Sequence, residues 1–226
     1  MSITKNIEDT QTRIARAAAK FGRPAGDVTL VAVSKTVGVD RVREAMACGI
    51  HNFGENRVQE LVAKAAELGG FDPKPTWHMI GRLQTNKAKA AAETASLIHS
   101  VDSLRLAQEI NNRSHFPADI LLQVNVANED SKAGIDVESA KALVQYLQLL
   151  PNLNLRGLMT IAPAVENAEE NRQIFRKLNK LFVDIMGDLD NNIFTILSMG
   201  MTSDFEVAVE EGSNMVRIGT GIFGGR

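Results

Sequence analysis

Cysteine is almost absent: Cys48 is the only one in 226 residues, so no intramolecular disulfide can form. It ends the apolar run Ala45-Met46-Ala47-Cys48 with no histidine or basic cluster beside it, the setting of a small buried hydrophobe near a helix end rather than of a reactive thiol. Long apolar runs are also missing. No stretch approaches the roughly 18 residues a membrane span needs, and the opening Met1-Ser2-Ile3-Thr4-Lys5-Asn6-Ile7-Glu8-Asp9 lacks the apolar segment of a secretory signal. A cytoplasmic protein with no membrane partner is expected. Nor does charge of one sign dominate: Lys and Arg total 25 against 27 Asp and Glu, and the formal charge of -2 supplies no field to gather a polyanion. Nucleic acid is excluded as an expected partner. Linkers rich in Pro, Gly or Ser and blocks of like charge are lacking too, so residues 1–226 read as one domain. What remains, 44% hydrophobic and 23% charged residues, is the mixture of an ordinary globular domain.

Apolar residues at Ile3, Ile7, Ile14, Ala17, Ala18 and Phe21 recur with helical spacing and stop at Gly22-Arg23-Pro24, which predicts a leading helix over 3–21. Beyond Asp27 the pattern changes to short runs rich in β-branched residues, at 29–34, 51–54, 76–81, 97–100, 120–126, 155–161, 193–198 and 215–219. Between them lie segments of helical periodicity, such as 57–68 and 169–186, most closed by Gly or Pro. Eight strand–helix units in one undivided chain predict an α/β protein of the (β/α)8 TIM barrel type rather than an open doubly wound sheet. A barrel builds its site from the C-terminal ends of its strands.

Strand one reads Leu30-Val31-Ala32-Val33-Ser34-Lys35, so Lys35 shares parity with Val31 and Val33 and falls where an apolar strand meets that face. A desolvated ammonium there would have a lowered pKa and attack carbonyls to form imines; the alternative is a strand-end lysine swinging into solvent. The loops after strands seven and eight, Ser198-Met199-Gly200-Met201-Thr202-Ser203-Asp204-Phe205-Glu206 and Arg217-Ile218-Gly219-Thr220-Gly221, are where barrels commonly bind phosphate. Thr202, Ser203, Gly219 and Thr220 are the candidate donors, although Ser203-x-x-Glu206 also fits a capping box. Arg217 alternates with Met215 and Gly219, which aims its guanidinium into the barrel mouth, where its partner is either a carboxylate or a ligand acceptor. An imine-forming amine, a ring-facing arginine and a phosphate cradle together form the layout pyridoxal phosphate requires.

The blocks Val33-Ser34-Lys35-Thr36, Phe53-Gly54-Glu55-Asn56-Arg57-Val58-Gln59-Glu60, Trp77-His78-Met79-Ile80-Gly81-Arg82-Leu83-Gln84-Thr85-Asn86-Lys87, Ser198-Met199-Gly200-Met201 and Val216-Arg217-Ile218-Gly219-Thr220 resemble the pyridoxal phosphate homeostasis proteins, the YggS/PROSC family, in order over nearly the whole length. The resemblance implies a fold-type III barrel like the N-terminal domain of alanine racemase, with a pyridoxal 5'-phosphate Schiff base on Lys35. It also implies Arg217 at the pyridine nitrogen, phosphate held by Thr202, Ser203, Gly219 and Thr220, and Asn56 with Ser198, Met199 and Gly200 lining the pocket. The chain departs from many relatives at Thr202-Ser203-Asp204, where a second small acidic residue is common.

Three functions follow from these residues. The first is a carrier that buffers pyridoxal phosphate for vitamin B6 homeostasis and passes it to apo-enzymes, with no catalytic residue, no metal site, and a monomer rather than an obligate dimer. Arginine does not readily tolerate a protonated pyridine nitrogen, which keeps the ring a weak electron sink. The second is a racemase-like enzyme, but the lone tyrosine, Tyr146, sits in a helical run, and His78 and His99 lie within strands as bases or as hydrogen-bonded core histidines. The third is an aldolase-like barrel in which Lys35 captures a sugar phosphate.

Overall fold

The computed structural model describes residues 2–129, 133–189 and 192–225. Among them, β1 (Thr29–Val33), β2 (Asn52–Glu55), β3 (Thr76–Met79), β4 (Leu97–Val101), β5 (Ala118–Gln123), β6 (Leu153–Met159), β7 (Ile196–Ser198) and β8 (Met215–Ile218) form a closed barrel in chain order. All neighbours are parallel, and β8 returns to β1 with Val31 opposite Arg217. The helices are α1 (Ile3–Lys20), α2 (Val39–Ala47), α3 (Val58–Leu68), α4 (Ala88–Thr94), α5 (Leu104–Arg113), α6 (Val137–Leu147), α7 (Arg172–Asp188), α8 (Phe205–Glu210) and α9 (Thr220–Phe223). No helix among the described residues is long and apolar enough to cross a membrane.

Strands of a closed parallel barrel are buried on both faces, which is why their sequences read as continuous apolar runs. Val31, Leu97, Leu121, Met159 and Met215 meet inside the barrel. The alternate residues pack outward: Ala32, Phe53, Val216 and Ile218 in one cluster with α1, α2 and α3, and Ile98, Ile120, Leu122, Leu158 and Leu197 in another beneath α4 to α7. The expected runs locate all eight strands, while several ends shift. β7 spans only Ile196–Ser198, because the Asn214 carboxamide stands in for part of the ladder, accepting from Leu197 N at 2.7 Å and donating to Thr195 O at 2.6 Å.

The last two helices are too short to cover their strands. The leading helix α1 does so instead, burying Ile3, Ile7, Ile14, Ala17 and Ala18 in the cluster that holds Phe205, Val209, Ile222 and Phe223. Arg13 of α1 pairs with Glu206 at 2.5 Å and lies over the Phe205 ring at 4.5 Å. Ile7 is 2% exposed. Ile7→Ala should lower the unfolding free energy by about 2–5 kcal/mol in urea titrations; a near-neutral change would show that α1 is not seated on the barrel.

Candidate cofactor site at the mouth of the barrel

β1 ends at Val33, and the chain then turns through Ser34-Lys35-Thr36, with Val37 N donating to Ser34 O at 2.9 Å. Thr36 has φ 61°, a left-handed conformation that costs a β-branched residue about 1–3 kcal/mol. Its surroundings hold it there. Thr36 N donates to Glu60 Oε2 at 3.0 Å, while Ser34 Oγ donates to Glu55 Oε1 at 2.7 Å. Lys64 Nζ, from α3, donates to Ser34 O at 2.7 Å and to Glu55 Oε1 at 2.6 Å. Glu55 and Lys64 are both buried, and burial pushes the Glu55 carboxyl above the usual carboxylate range against the pull of its Lys64 and Ser34 bonds.

Lys35 itself is exposed, so the expected desolvation of its amine is corrected: β1 stops two residues earlier and the turn carries the side chain to the rim. The lysine withdrawn from water here is Lys64. Lys35 lines a cavity of about 430 Å³ together with Val33, Asn56, Ile80, Gly81, Arg82, Gln123, Ala133, Ile161, Met201 and Arg217. Lys35, Arg82 and Ile161 are exposed, and through them the cavity meets solvent. Asn56 is brought close by Gly81, where a Cβ would lie 2.3 Å from Asn56 O.

Arg217 forms the cavity's inner wall at 4% exposure. Its NH1 donates to Ser198 Oγ at 2.5 Å and its NH2 to Thr160 O at 2.8 Å, both uncharged acceptors. The carboxylate partner considered for it is not among these bonds. Burial lowers its pKa to about 10, so it remains a cation at neutral pH, with the charge of Asp204 supporting it. Asp204 is committed elsewhere, accepting from Met201 N at 2.7 Å and from Asn171 Nδ2 at 2.9 Å.

The two loops named for phosphate meet at the rim, where Gly221 N donates to Thr202 Oγ1 at 3.4 Å. Ser203 and Thr220 are exposed, and Thr202 and Gly219 are half-buried. Helix α8 starts at Phe205 behind Asp204, so the capping box expected of Ser203 does not form. Gly219 lies beside β1, a Cβ on it falling 3.4 Å from Val33 Cβ. Gly200, at φ +92°, could not carry a side chain, since its Cβ would lie 2.6 Å from Ala208 Cβ; its carbonyl accepts from Arg217 N at 3.1 Å. Met199 is a correction: strand alternation turns it outward into the apolar layer with Leu197, Val207 and Ala208, and Met201 lines the cavity in its place. Ser198 lies beneath Arg217 rather than on the cavity wall.

Glu55, Glu60, Lys64, Asn52 and Gln123 were not foreseen. The parity that exposed Arg217 gives Gln123 too, but nothing local pairs Lys64 with the Ser34 turn. His78 and His99 are buried inside the barrel as hydrogen-bonded histidines, with His78 Nδ1 2.9 Å from His99 Nε2. Burial lowers His78 to about 4 and His99 well below its usual value, the charges of His78 and Arg217 adding to the latter. In an unfolded chain each would take a proton near pH 6.5. The unfolded state therefore binds more protons as pH falls below that value, and stability should fall with it by up to about 1.4 kcal/mol per pH unit per histidine. Unfolding titrations between about pH 6 and 5 should show the slope for His99→Asn reduced by close to one proton; an unchanged slope would mean that His99 is already protonated when folded.

Residues 6–226 match the family model described as alanine racemase, N-terminal domain. Two curated relatives named pyridoxal phosphate homeostasis protein, from Aquifex aeolicus and Pseudomonas aeruginosa, are each 43% identical over 229 aligned residues, covering 100% of this chain and 99% and 96% of theirs. The structure of PipY from Synechococcus elongatus without pyridoxal phosphate superposes with a TM-score of 0.88 at 36% identity, covering 98% of this chain and 100% of that one. The same protein with pyridoxal phosphate bound gives 0.81 at 38% identity, covering 93% and 100%. Alanine racemase from Corynebacterium glutamicum shares the fold alone, with a TM-score of 0.74 at 14% identity over 98% of this chain and 60% of that enzyme. The chain belongs to the pyridoxal phosphate homeostasis protein family, built on the barrel of the alanine racemase N-terminal domain.

Proposed function

We propose that this protein binds pyridoxal 5'-phosphate reversibly through the Lys35 amine and acts as its carrier in vitamin B6 homeostasis, passing it to apo-enzymes, without being an enzyme itself. The observation that carries the reading is the shared cavity of Lys35 and Arg217, with Arg217 bonded only to neutral oxygens. A guanidinium has donors and no acceptor, so it faces a pyridine nitrogen only while that nitrogen is unprotonated. A ring kept in that state withdraws electrons weakly, which suits storage better than carbanion chemistry.

The other residues fit the same cargo. Gly219 lies beside Val33 of β1 and Thr202 meets Gly221 of the same loop, so the rim at Thr202, Ser203, Gly219 and Thr220 would hold the phosphate while the aldehyde reaches Lys35. Asn56 lines the cavity and would flank the ring, and Ser198 and Gly200 act from behind by holding Arg217. An exposed amine is accessible to the water that must hydrolyse the imine on release. Among the described residues, the tyrosine and histidines considered as a second base lie off the cavity wall: Tyr146 is 58% exposed on α6, and His78 and His99 are buried within the barrel. The likeness of PipY, whose structure holds pyridoxal phosphate, and of the curated homeostasis proteins supports the same cargo.

Borohydride reduction of the loaded protein followed by peptide mapping should place the pyridoxyl group on Lys35, and Lys35→Ala should abolish the visible imine absorbance. A label on another lysine overturns the assignment. Turnover of an amino acid above the rate of free cofactor would favour the racemase-like reading, and a colourless protein indifferent to added cofactor the aldolase-like one.

A further inference from the structure

A polar chain runs through the barrel interior behind the cavity. Arg217 NH1 lies 2.5 Å from Ser198 Oγ, Ser198 Oγ 3.1 Å from His99 Nδ1, His99 Nε2 2.9 Å from His78 Nδ1, and His78 Nε2 3.1 Å from Asn52 Oδ1. The chain crosses from β8 through β7, β4 and β3 to β2, and its serine and both histidines are buried.

The direction of every bond follows from one end. Arginine can only donate, so Ser198 Oγ accepts from it, and the single serine proton must go to the next acceptor, His99 Nδ1. A neutral His99 then carries its proton on Nε2 and donates to His78 Nδ1. His78 in turn carries its proton on Nε2 and donates to Asn52 Oδ1, an oxygen able to end the series. Each atom has the role its neighbour needs. Protonating His99 would make both neighbours of Ser198 Oγ donors, so the serine would accept twice and its own proton would lose its acceptor in the chain. A histidine serving only to fill the core would need no such polarity.

Resting on the proposed function, we infer that His99, acting through Ser198, is a positioning residue for Arg217: the one-way hydrogen-bond chain holds the guanidinium as a donor towards the pyridine nitrogen of pyridoxal phosphate, and so keeps that nitrogen unprotonated. The acceptor at the Nδ1 position is the working part of His99. Asparagine places its amide oxygen near that position; glutamine matches Nε2 instead, and leucine supplies neither.

The test combines two nitrogen measurements. In cofactor-free protein labelled with [15N]histidine, His78 and His99 should each show an unprotonated Nδ1 and a protonated Nε2; a protonated Nδ1 on His99 overturns the inference. In protein loaded with pyridoxal phosphate labelled at the ring nitrogen, the wild type should give the resonance of an unprotonated pyridine. His99→Leu and His99→Gln should move it towards the protonated position and weaken binding about tenfold, the effect of losing one charge-assisted hydrogen bond. His99→Asn should restore both readouts. Ser198→Ala, which cuts the same link with a smaller change, should reproduce the leucine result and decides the matter if His99→Leu does not fold. Variants that bind normally with an unshifted ring nitrogen, whatever their stability, overturn this inference while leaving the functional reading intact. Wild-type protein that takes up no pyridoxal phosphate overturns both.

Discussion

A guanidinium buried in the barrel without a carboxylate on it is the constraint around which the mouth is built. Withdrawing such a charge from water costs several kcal/mol even after relaxation. Here the compensation comes from the Ser198 hydroxyl and the Thr160 carbonyl, with Asp204 contributing at longer range. Neutral acceptors satisfy donors without neutralising charge, so Arg217 presents an intact positive field to the cavity. That condition selects what can lie against it: an acceptor nitrogen or an anion fits, and a protonated ring does not.

The fold supplies this constraint through register. With Arg217 opposite Val31 in the β1–β8 pair, the turn carrying Lys35 rises just beyond the arginine, and the loop after β8 follows beside it. Amine, guanidinium and rim loops thus converge because three consecutive parts of a closed sheet, β7, β8 and β1, are neighbours. Rigidity at the amine comes from a different source. Thr36 is held in an unfavourable conformation, Ser34 is buried and held by both members of the Glu55–Lys64 pair, and the Lys35 side chain between them reaches solvent. The short α8 and α9 leave this sector thinly covered, and α1 closes it from outside with Ile7, Ile14 and the Arg13–Glu206 contact.

Legibility varied with the distance over which a signal acts. Strand and helix alternation is local, and it showed in runs such as Leu30 to Val33 and in the spacing of Phe175, Leu178, Phe182 and Ile185 on α7. Strand ends were less clear, because a side chain such as Asn214 can replace backbone ladder bonds without altering hydrophobic pattern. Parity located Arg217, while the same parity applied one residue past Ser198 excludes Met199, which a contiguous motif had carried into the pocket. The Lys64–Ser34 bond joins residues 30 apart, and the Ser198–His99 bond residues 99 apart; neither has a local signature.

By itself the sequence determined a closed alternation of eight strands and helices, a lysine at the end of the first strand and an arginine facing inward on the last, because periodicity and parity are properties of neighbours in the chain. The tertiary structure alone decided that Lys35 stands exposed while Lys64 is buried, that Arg217 meets oxygens without charge, and that two core histidines connect it to Asn52. Those outcomes depend on which side chains meet across a closed sheet, and distance along the chain carries no information about that meeting.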